Sequence, residues 1–105
     1  MKSTLLTILV VLTVLASSAT AADRISGDNN VGCKSRDYYK KLLQYAAQGD
    51  MQAFNQGLTG GILAGTCIWF KAGEPVFITD TSMFLIKVRR QGSTAEYWTN
   101  MEAVK

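Results

Sequence analysis

The sequence predicts an α+β fold in which an N-terminal helical hairpin packs on an antiparallel meander of three to five strands. Apolar residues recur at helical spacing up to about residue 64 and alternate with a period of two from residue 66 onward. The chain also has only two cysteines, one in each of these halves. Because each half carries an apolar face, the two halves are expected to bury those faces against each other.

The first 21 residues have the order typical of a secretory signal peptide. A single cation, Lys2, precedes an apolar run over residues 5–15, and residues 19–21 form an A-x-A cleavage site. The apolar run is shorter than the roughly 20 residues that cross a bilayer. We therefore expect cleavage after Ala21 and export to the periplasm or the medium, with an uncleaved anchor as the alternative.

The composition argues against several kinds of site. The chain contains no histidine, so it offers no Ser-His-Asp or Cys-His nucleophile system and no imidazole metal ligand. Loss of Lys2 leaves 10 of the 11 Lys and Arg against 8 Asp and Glu, which is too mild a charge for nucleic-acid binding. Glu74, Glu96 and Glu102 could be catalytic carboxylates, but paired carboxylates need a cleft that a domain this small rarely provides. We expect no enzyme, cofactor, metal or nucleic-acid partner.

Cys33 and Cys67 are expected to form a disulfide. Exported chains fold in an oxidising compartment, where two cysteines usually pair. Loop-closure entropy for this separation predicts a stabilisation of roughly 4 kcal/mol. A reactive thiol is the alternative, but the pair lacks C-x-x-C spacing and a visible neighbouring base.

The segment before the first cysteine, residues 22–32, is polar and rich in turn residues. We expect it to form a flexible N-terminal arm in front of a single domain over residues 33–105. The first helix is predicted between an N-cap at Ser35 and a glycine stop at Gly49.

Asp50 is the predicted N-cap of a second helix, which the glycines at its far end are expected to stop near Thr59. Strands are then predicted over residues 66–71, 76–80, 83–90 and 94–99, followed by a helical turn and a final short strand. The residues expected on the buried face are Val76, Ile78, Phe84, Ile86 and Val88.

The order AGEPVFITD, FLIKVRRQG and EYWTNMEAV resembles bacterial Src-homology-3-like domains. Those small meander barrels have a G-x-x-V opening, a Lys-Val-Arg strand that leads to a glycine turn, and a closing Trp-turn-Val element. The resemblance covers residues 67–104 and omits the helices. It implies a small SH3-like barrel and a binding module for cell-wall peptides or other proteins, without assigning any ligand-contacting residue.

Gly57, Gly61 and Gly65 form a G-x-x-x-G-x-x-x-G pattern. In an apolar helix this spacing promotes helix association within membranes. The alternative is that the glycines end a helix and let it lie close to the sheet. Membrane association through this segment and self-assembly in the envelope are therefore kept as alternative functions.

Arg89, Arg90, Tyr97 and Trp98 form the candidate binding patch, because a predicted turn at residues 91–93 brings their strands side by side. Neighbouring residues of a strand face opposite sides, so one of the two aromatic side chains is expected to be exposed. Arginine beside an aromatic ring is enriched at binding hot spots. Replacement of either arginine by alanine is expected to weaken binding and leave the fold almost unchanged.

The helix surface that bears Arg36, Lys40 and Lys41 is the second candidate for the binding patch. Taken together, these features predict a small exported, non-catalytic binding or inhibitor module of the cell envelope. Its partner is an unidentified protein or envelope component, and the sequence does not determine its oligomeric state.

Overall fold

The computed structural model describes residues 22–105, and the predicted signal peptide lies outside this part of the chain. The described elements are β1 Asp23–Arg24, β2 Val31–Cys33, α1 Arg36–Ala47, α2 Met51–Leu63, β3 Cys67–Trp69, β4 Pro75–Ser82, β5 Leu85–Arg90 and β6 Glu96–Asn100. A 3₁₀ turn, Met101–Ala103, follows β6.

The predicted fold class is wrong in the order and number of its elements. Two strands, β1 and β2, precede the helices, so the helical hairpin is not N-terminal. The sheet has six antiparallel strands in the order β1-β4-β5-β6-β2-β3 instead of three to five. The additional strands, β1 and β2, lie within residues 23–33, so they fall almost entirely in the segment 22–32 expected to form a flexible arm. Both residues of β1 are exposed, and the strand pairs with β4, with Asp23 opposite Val76 and Arg24 opposite Pro75.

Both helices begin at the predicted caps. Ser35 Oγ accepts a hydrogen bond from the Tyr38 N–H, and Asp50 Oδ1 accepts one from the Ala53 N–H. Helix α2 continues to Leu63 instead of stopping near Thr59. Its glycines permit close packing, because a Cβ at Gly61 would lie 2.7 Å from Cys67 Sγ. The prediction that glycines bring this helix close to the sheet is therefore confirmed, whereas the early stop is wrong.

The Cys33–Cys67 disulfide is present, as predicted. The two cysteines lie directly opposite each other in β2 and β3, and both side chains are buried. Their Cα atoms are 4.0 Å apart, which is close to the spacing of residue pairs that face each other without mutual hydrogen bonds in an antiparallel ladder. The bond therefore ties the strands on either side of the helical hairpin together.

Apolar side chains are buried on both faces of the sheet. The cluster under the helices contains Cys33, Tyr39, Leu42, Leu58, Cys67, Leu85 and Trp98. The cluster on the opposite face contains Ile25, Phe70, Val76, Ile86, Val88 and Tyr97. The segments around Ile25 and Val104 help to cover this second cluster, since Ile25 pairs with Val104 and Arg24 exchanges backbone hydrogen bonds with Lys105. The resemblance to the Src-homology-3-like family stays a prediction.

Three of the five residues expected on the buried face, Val76, Ile86 and Val88, are buried. The expectation is wrong for Ile78 and Phe84, which are 45% and 77% exposed. Ile78 lies where a register shift interrupts the pairing of β4 with β5. Phe84 is not in a strand, because Ser82 pairs with Leu85 and leaves Met83 and Phe84 as a two-residue turn.

Candidate functional site

The turn between β4 and β5 exposes two large apolar side chains, Met83 and Phe84, which we call the hairpin tip. Met83 is 85% exposed and has a φ of 58°, in the left-handed region that rarely accommodates residues with a side chain. The Phe84 carbonyl accepts a hydrogen bond from the Met101 N–H at 3.0 Å. This contact brings a third exposed apolar residue, Met101, to the same end of the molecule.

A cavity of about 260 Å³ lies between the hairpin tip and α1. Its lining combines apolar and cationic side chains with one hydroxyl: Arg36, Lys40, Leu43, Ser82, Met83, Phe84 and Leu85. The three helical residues are spaced i, i+4 and i+7, so they lie along one face of α1. The cavity therefore has apolar walls, two cations and no acidic residue.

Arg36 is held in place at this cavity. One of its guanidinium nitrogens, Nη1, donates a hydrogen bond to Ser82 Oγ at 2.8 Å. Its Cζ lies 6.0 Å from the centre of the Trp98 ring, and Lys87 Nζ lies 5.4 Å from the same ring. Within residues 22–105, Arg36 and Lys40 have no carboxylate close enough for an ion pair. Their positive charges are consequently available to a ligand.

The structure does not gather the predicted binding patch into one surface. Tyr97 and Trp98 do face opposite sides of the sheet, but both are only 9% exposed because both faces are covered. The expectation that one of them is exposed is therefore wrong. Arg89 lies over the ring of Phe77 at 4.8 Å, whereas Arg90 lies over the ring of Phe70 at 5.5 Å.

Arg90 is engaged within the fold. Its Nε lies 2.8 Å from Glu74 Oε1, and its Nη2 donates a hydrogen bond to the Trp69 carbonyl at 2.9 Å. The ion pair is partly shielded from water, with side-chain exposures of 31% for Arg90 and 16% for Glu74. We therefore revise the expectation that Arg90→Ala leaves the fold almost unchanged.

The second candidate patch contributes two of its three residues to the cavity. Arg36 and Lys40 line it, whereas Lys41 lines a separate hollow together with Tyr38, Leu42, Tyr45 and Gly57. Met83, Phe84 and Met101 were not among the candidate site residues predicted from the sequence, and all three are exposed. The signal that pointed to the turn is the unbroken apolar run of residues 83–86, which breaks the alternation of a half-buried strand.

A second cavity, of about 270 Å³, lies on the other side of Leu43 and has no charged residue in its lining. Three asparagines, Asn29, Asn30 and Asn100, contribute to it together with residues of both helices. Tyr39 also lines it, and burial raises the pKa of the Tyr39 hydroxyl despite hydrogen bonding with the Thr99 side chain and the Asn100 backbone. Tyr39 is therefore neutral at physiological pH.

No helix among residues 22–105 is long and apolar enough to cross a membrane. In the same part of the chain, no group of three His, Cys, Asp or Glu side chains is arranged to hold a metal ion. Comparison with protein-family models, curated proteins and solved structures finds no match to this chain.

Proposed function

We propose that the protein is a small exported, non-catalytic binding module that contacts a protein partner through the hairpin tip and the adjoining cavity. The observation that carries this proposal is the exposure of Met83 and Phe84 in a two-residue turn beside a cavity lined by Arg36 and Lys40, which form no ion pair within residues 22–105. The Cys33–Cys67 disulfide and the predicted signal peptide support an extracytoplasmic location.

The conformation of Met83 supports a role in contact with a ligand. A residue with a side chain in the left-handed region costs roughly 1–2 kcal/mol, and two-residue hairpins normally place glycine, asparagine or aspartate there. The backbone of Met83 adopts this unfavourable conformation, and its side chain is not buried in the domain to compensate for it. Burial of a side chain such as Phe84 against a partner would contribute about 1.5–3 kcal/mol.

The exposed side chains beside the cavity favour a protein ligand over a small molecule. Sites for small ligands usually enclose about 300–1,000 Å³ and bury most of the ligand. The cavity beside the tip, at about 260 Å³, is near the lower end of this range, and a ligand confined to it would leave Met83 and Phe84 exposed. A partner protein can place one side chain in it while covering Met83 and Phe84.

The two alternative functions receive less support. Self-assembly by strand addition would need a long open edge, but the outer strand β3 has only three residues. The open side of β4 carries a register shift and an Asp80 carboxylate that accepts the Thr81 N–H at 2.8 Å. Membrane association through the glycine pattern would need free glycine faces. A Cβ at Gly57 would lie 2.7 Å from Leu42, and Gly61 packs on Cys67.

Site-specific photo-crosslinking tests the proposal. Benzoylphenylalanine in place of Phe84 should yield adducts with a protein of the native envelope or medium, and excess wild-type protein should suppress them. Benzoylphenylalanine in place of Gln91 is the matched control, because Gln91 is exposed at the opposite end of β5. Equal adduct yields from both positions, or adducts with lipid alone, would contradict the proposal.

A further inference from the structure

We infer that the segment bound at this site is a short acidic–apolar peptide stretch of the partner protein. One apolar side chain enters the cavity against Leu43, Phe84 and Leu85, and an adjoining carboxylate pairs with Arg36 and Lys40. This inference rests on the proposed function and names the chemistry of the ligand.

Charge complementarity points to an acidic ligand. The cavity lining contains two cations and no acid, and Asp37, the acidic residue of the first turn of α1, is not part of it. Within residues 22–105, the ion pair that forms is that of Arg90 with Glu74, at a different site. A carboxylate brought by a partner would therefore be the first to neutralise Arg36 and Lys40.

Arg36 is oriented before any ligand arrives. Its guanidinium has five N–H donors, of which the structure uses one for Ser82, and the Trp98 ring supports its position. The remaining donors suit the planar, two-oxygen geometry of a carboxylate. Because the Arg36 side chain is already held, it loses less conformational entropy when it pairs with a ligand.

The order of residues on α1 sets the orientation of the peptide. Arg36 is the first residue of the helix, and Lys40 and Leu43 follow along the same face. A carboxylate is favoured at the Arg36 end, because helix N-termini carry partial positive charge. The apolar side chain then lies toward Leu43, about 10 Å farther along the helix axis at 1.5 Å per residue.

Selection from a displayed library of random linear peptides tests this inference with the purified protein. Bound peptides should be enriched in an apolar residue near Asp or Glu, and they should be lost with Phe84→Ala. Binding of a selected peptide should weaken about tenfold with Arg36→Ala or Lys40→Ala, which corresponds to one good charge-assisted contact. Lys41→Ala removes the same charge from the same helix outside the cavity, and it should change the affinity less than about twofold.

Each other outcome overturns the inference. Peptides that need Phe84 but lack acids and tolerate Arg36→Ala would show an uncharged ligand and would leave the proposed function standing. Equal losses with Lys40→Ala and Lys41→Ala would show general charge attraction instead of a site. Phe84-dependent binding to vesicles of anionic phospholipid without any peptide binding would assign the tip to a membrane surface.

Discussion

The two ends of the β4–β5 hairpin use arginine in opposite ways. At the base, Arg90 lies over the Phe70 ring and forms an ion pair with Glu74. At the tip, Arg36 lies over the Trp98 ring, and among the described residues 22–105 it donates only to the neutral Ser82 hydroxyl. The difference between the two arginines is therefore a carboxylate partner, which Arg90 has in Glu74 and which Arg36 lacks within residues 22–105.

The largest effect is expected from Arg90→Ala at the base. This change leaves the Glu74 carboxylate only 16% exposed without its partner and removes the hydrogen bond to the Trp69 carbonyl. Loss of one partner costs 3–5 kcal/mol for buried pairs and little for exposed ones, so we expect about 2 kcal/mol for this half-buried pair. Urea denaturation monitored by far-UV circular dichroism measures the free energy of unfolding.

Arg89→Ala is the control for that measurement. Arg89 is the neighbouring residue of β5, but it bonds the Ser93 carbonyl and has no acidic partner within residues 22–105. Its replacement should cost less than about 1 kcal/mol. Equal decreases in the free energy of unfolding for the two variants would mean that the ion pair with Glu74 does not give Arg90 a special role in stability.

The second-largest effect is expected from Met83→Gly at the tip, and it should stabilise the protein. This change should raise the free energy of unfolding by about 1 kcal/mol, because glycine adopts the φ of 58° without strain. For a domain of this size, that gain corresponds to roughly 4–8 °C in the melting temperature. Met83→Ala removes the same side chain without relieving the backbone and should leave the melting temperature almost unchanged. A destabilised Met83→Gly variant would show that Met83 supports the fold.

The features predicted correctly from the sequence are those that depend on local chemistry. The caps at Ser35 and Asp50 were identified because a side-chain oxygen before an amphipathic run meets the free N–H groups of a helix. The Cys33–Cys67 bond was predicted from the number of cysteines and the expected compartment.

The features missed depend on contacts between distant parts of the chain. Strand β1 has only two residues, and its partner strand β4 lies some fifty positions later in the sequence. No local sequence pattern therefore indicates β1. The turn at Met83 lacks the glycine or asparagine that usually marks a hairpin, and the predicted strand was extended across it. With the strand extended across the turn, Phe84 is predicted to lie in the core, and the exposed hairpin tip is not predicted.

A third prediction concerns how the stability of the protein depends on pH through Tyr39. This residue is buried on α1, the helix that carries Arg36 on another face. Burial raises the pKa of Tyr39, so the folded state keeps its proton after the unfolded state loses it. The stability from this group is complete below the ordinary pKa near 10 and declines as the pH rises above it, by at most about 1.4 kcal/mol per pH unit.

Comparison of wild type with Tyr39→Phe isolates this contribution. The difference in the free energy of unfolding should be constant from pH 7 to 9 and should shift in favour of the phenylalanine variant above about pH 10. Denaturation series at pH 8 and pH 11 measure it. Parallel pH profiles for the two proteins would show that Tyr39 ionises equally in the folded and unfolded states.

The smallest effect is expected from Arg36→Ala, and it is the most direct test of the contrast between base and tip. Arg36 is exposed, and within residues 22–105 its polar contacts are one hydrogen bond to Ser82, the last residue of β4, and one cation–π contact at 6.0 Å. Surface changes of this kind usually alter stability by no more than about 0.5 kcal/mol. The melting temperature should therefore stay close to that of the wild type, while Arg90→Ala lowers it clearly. A decrease in melting temperature comparable with that of Arg90→Ala would show that Arg36 holds α1 against the hairpin. The cations at the tip would then stabilise the fold instead of serving a ligand.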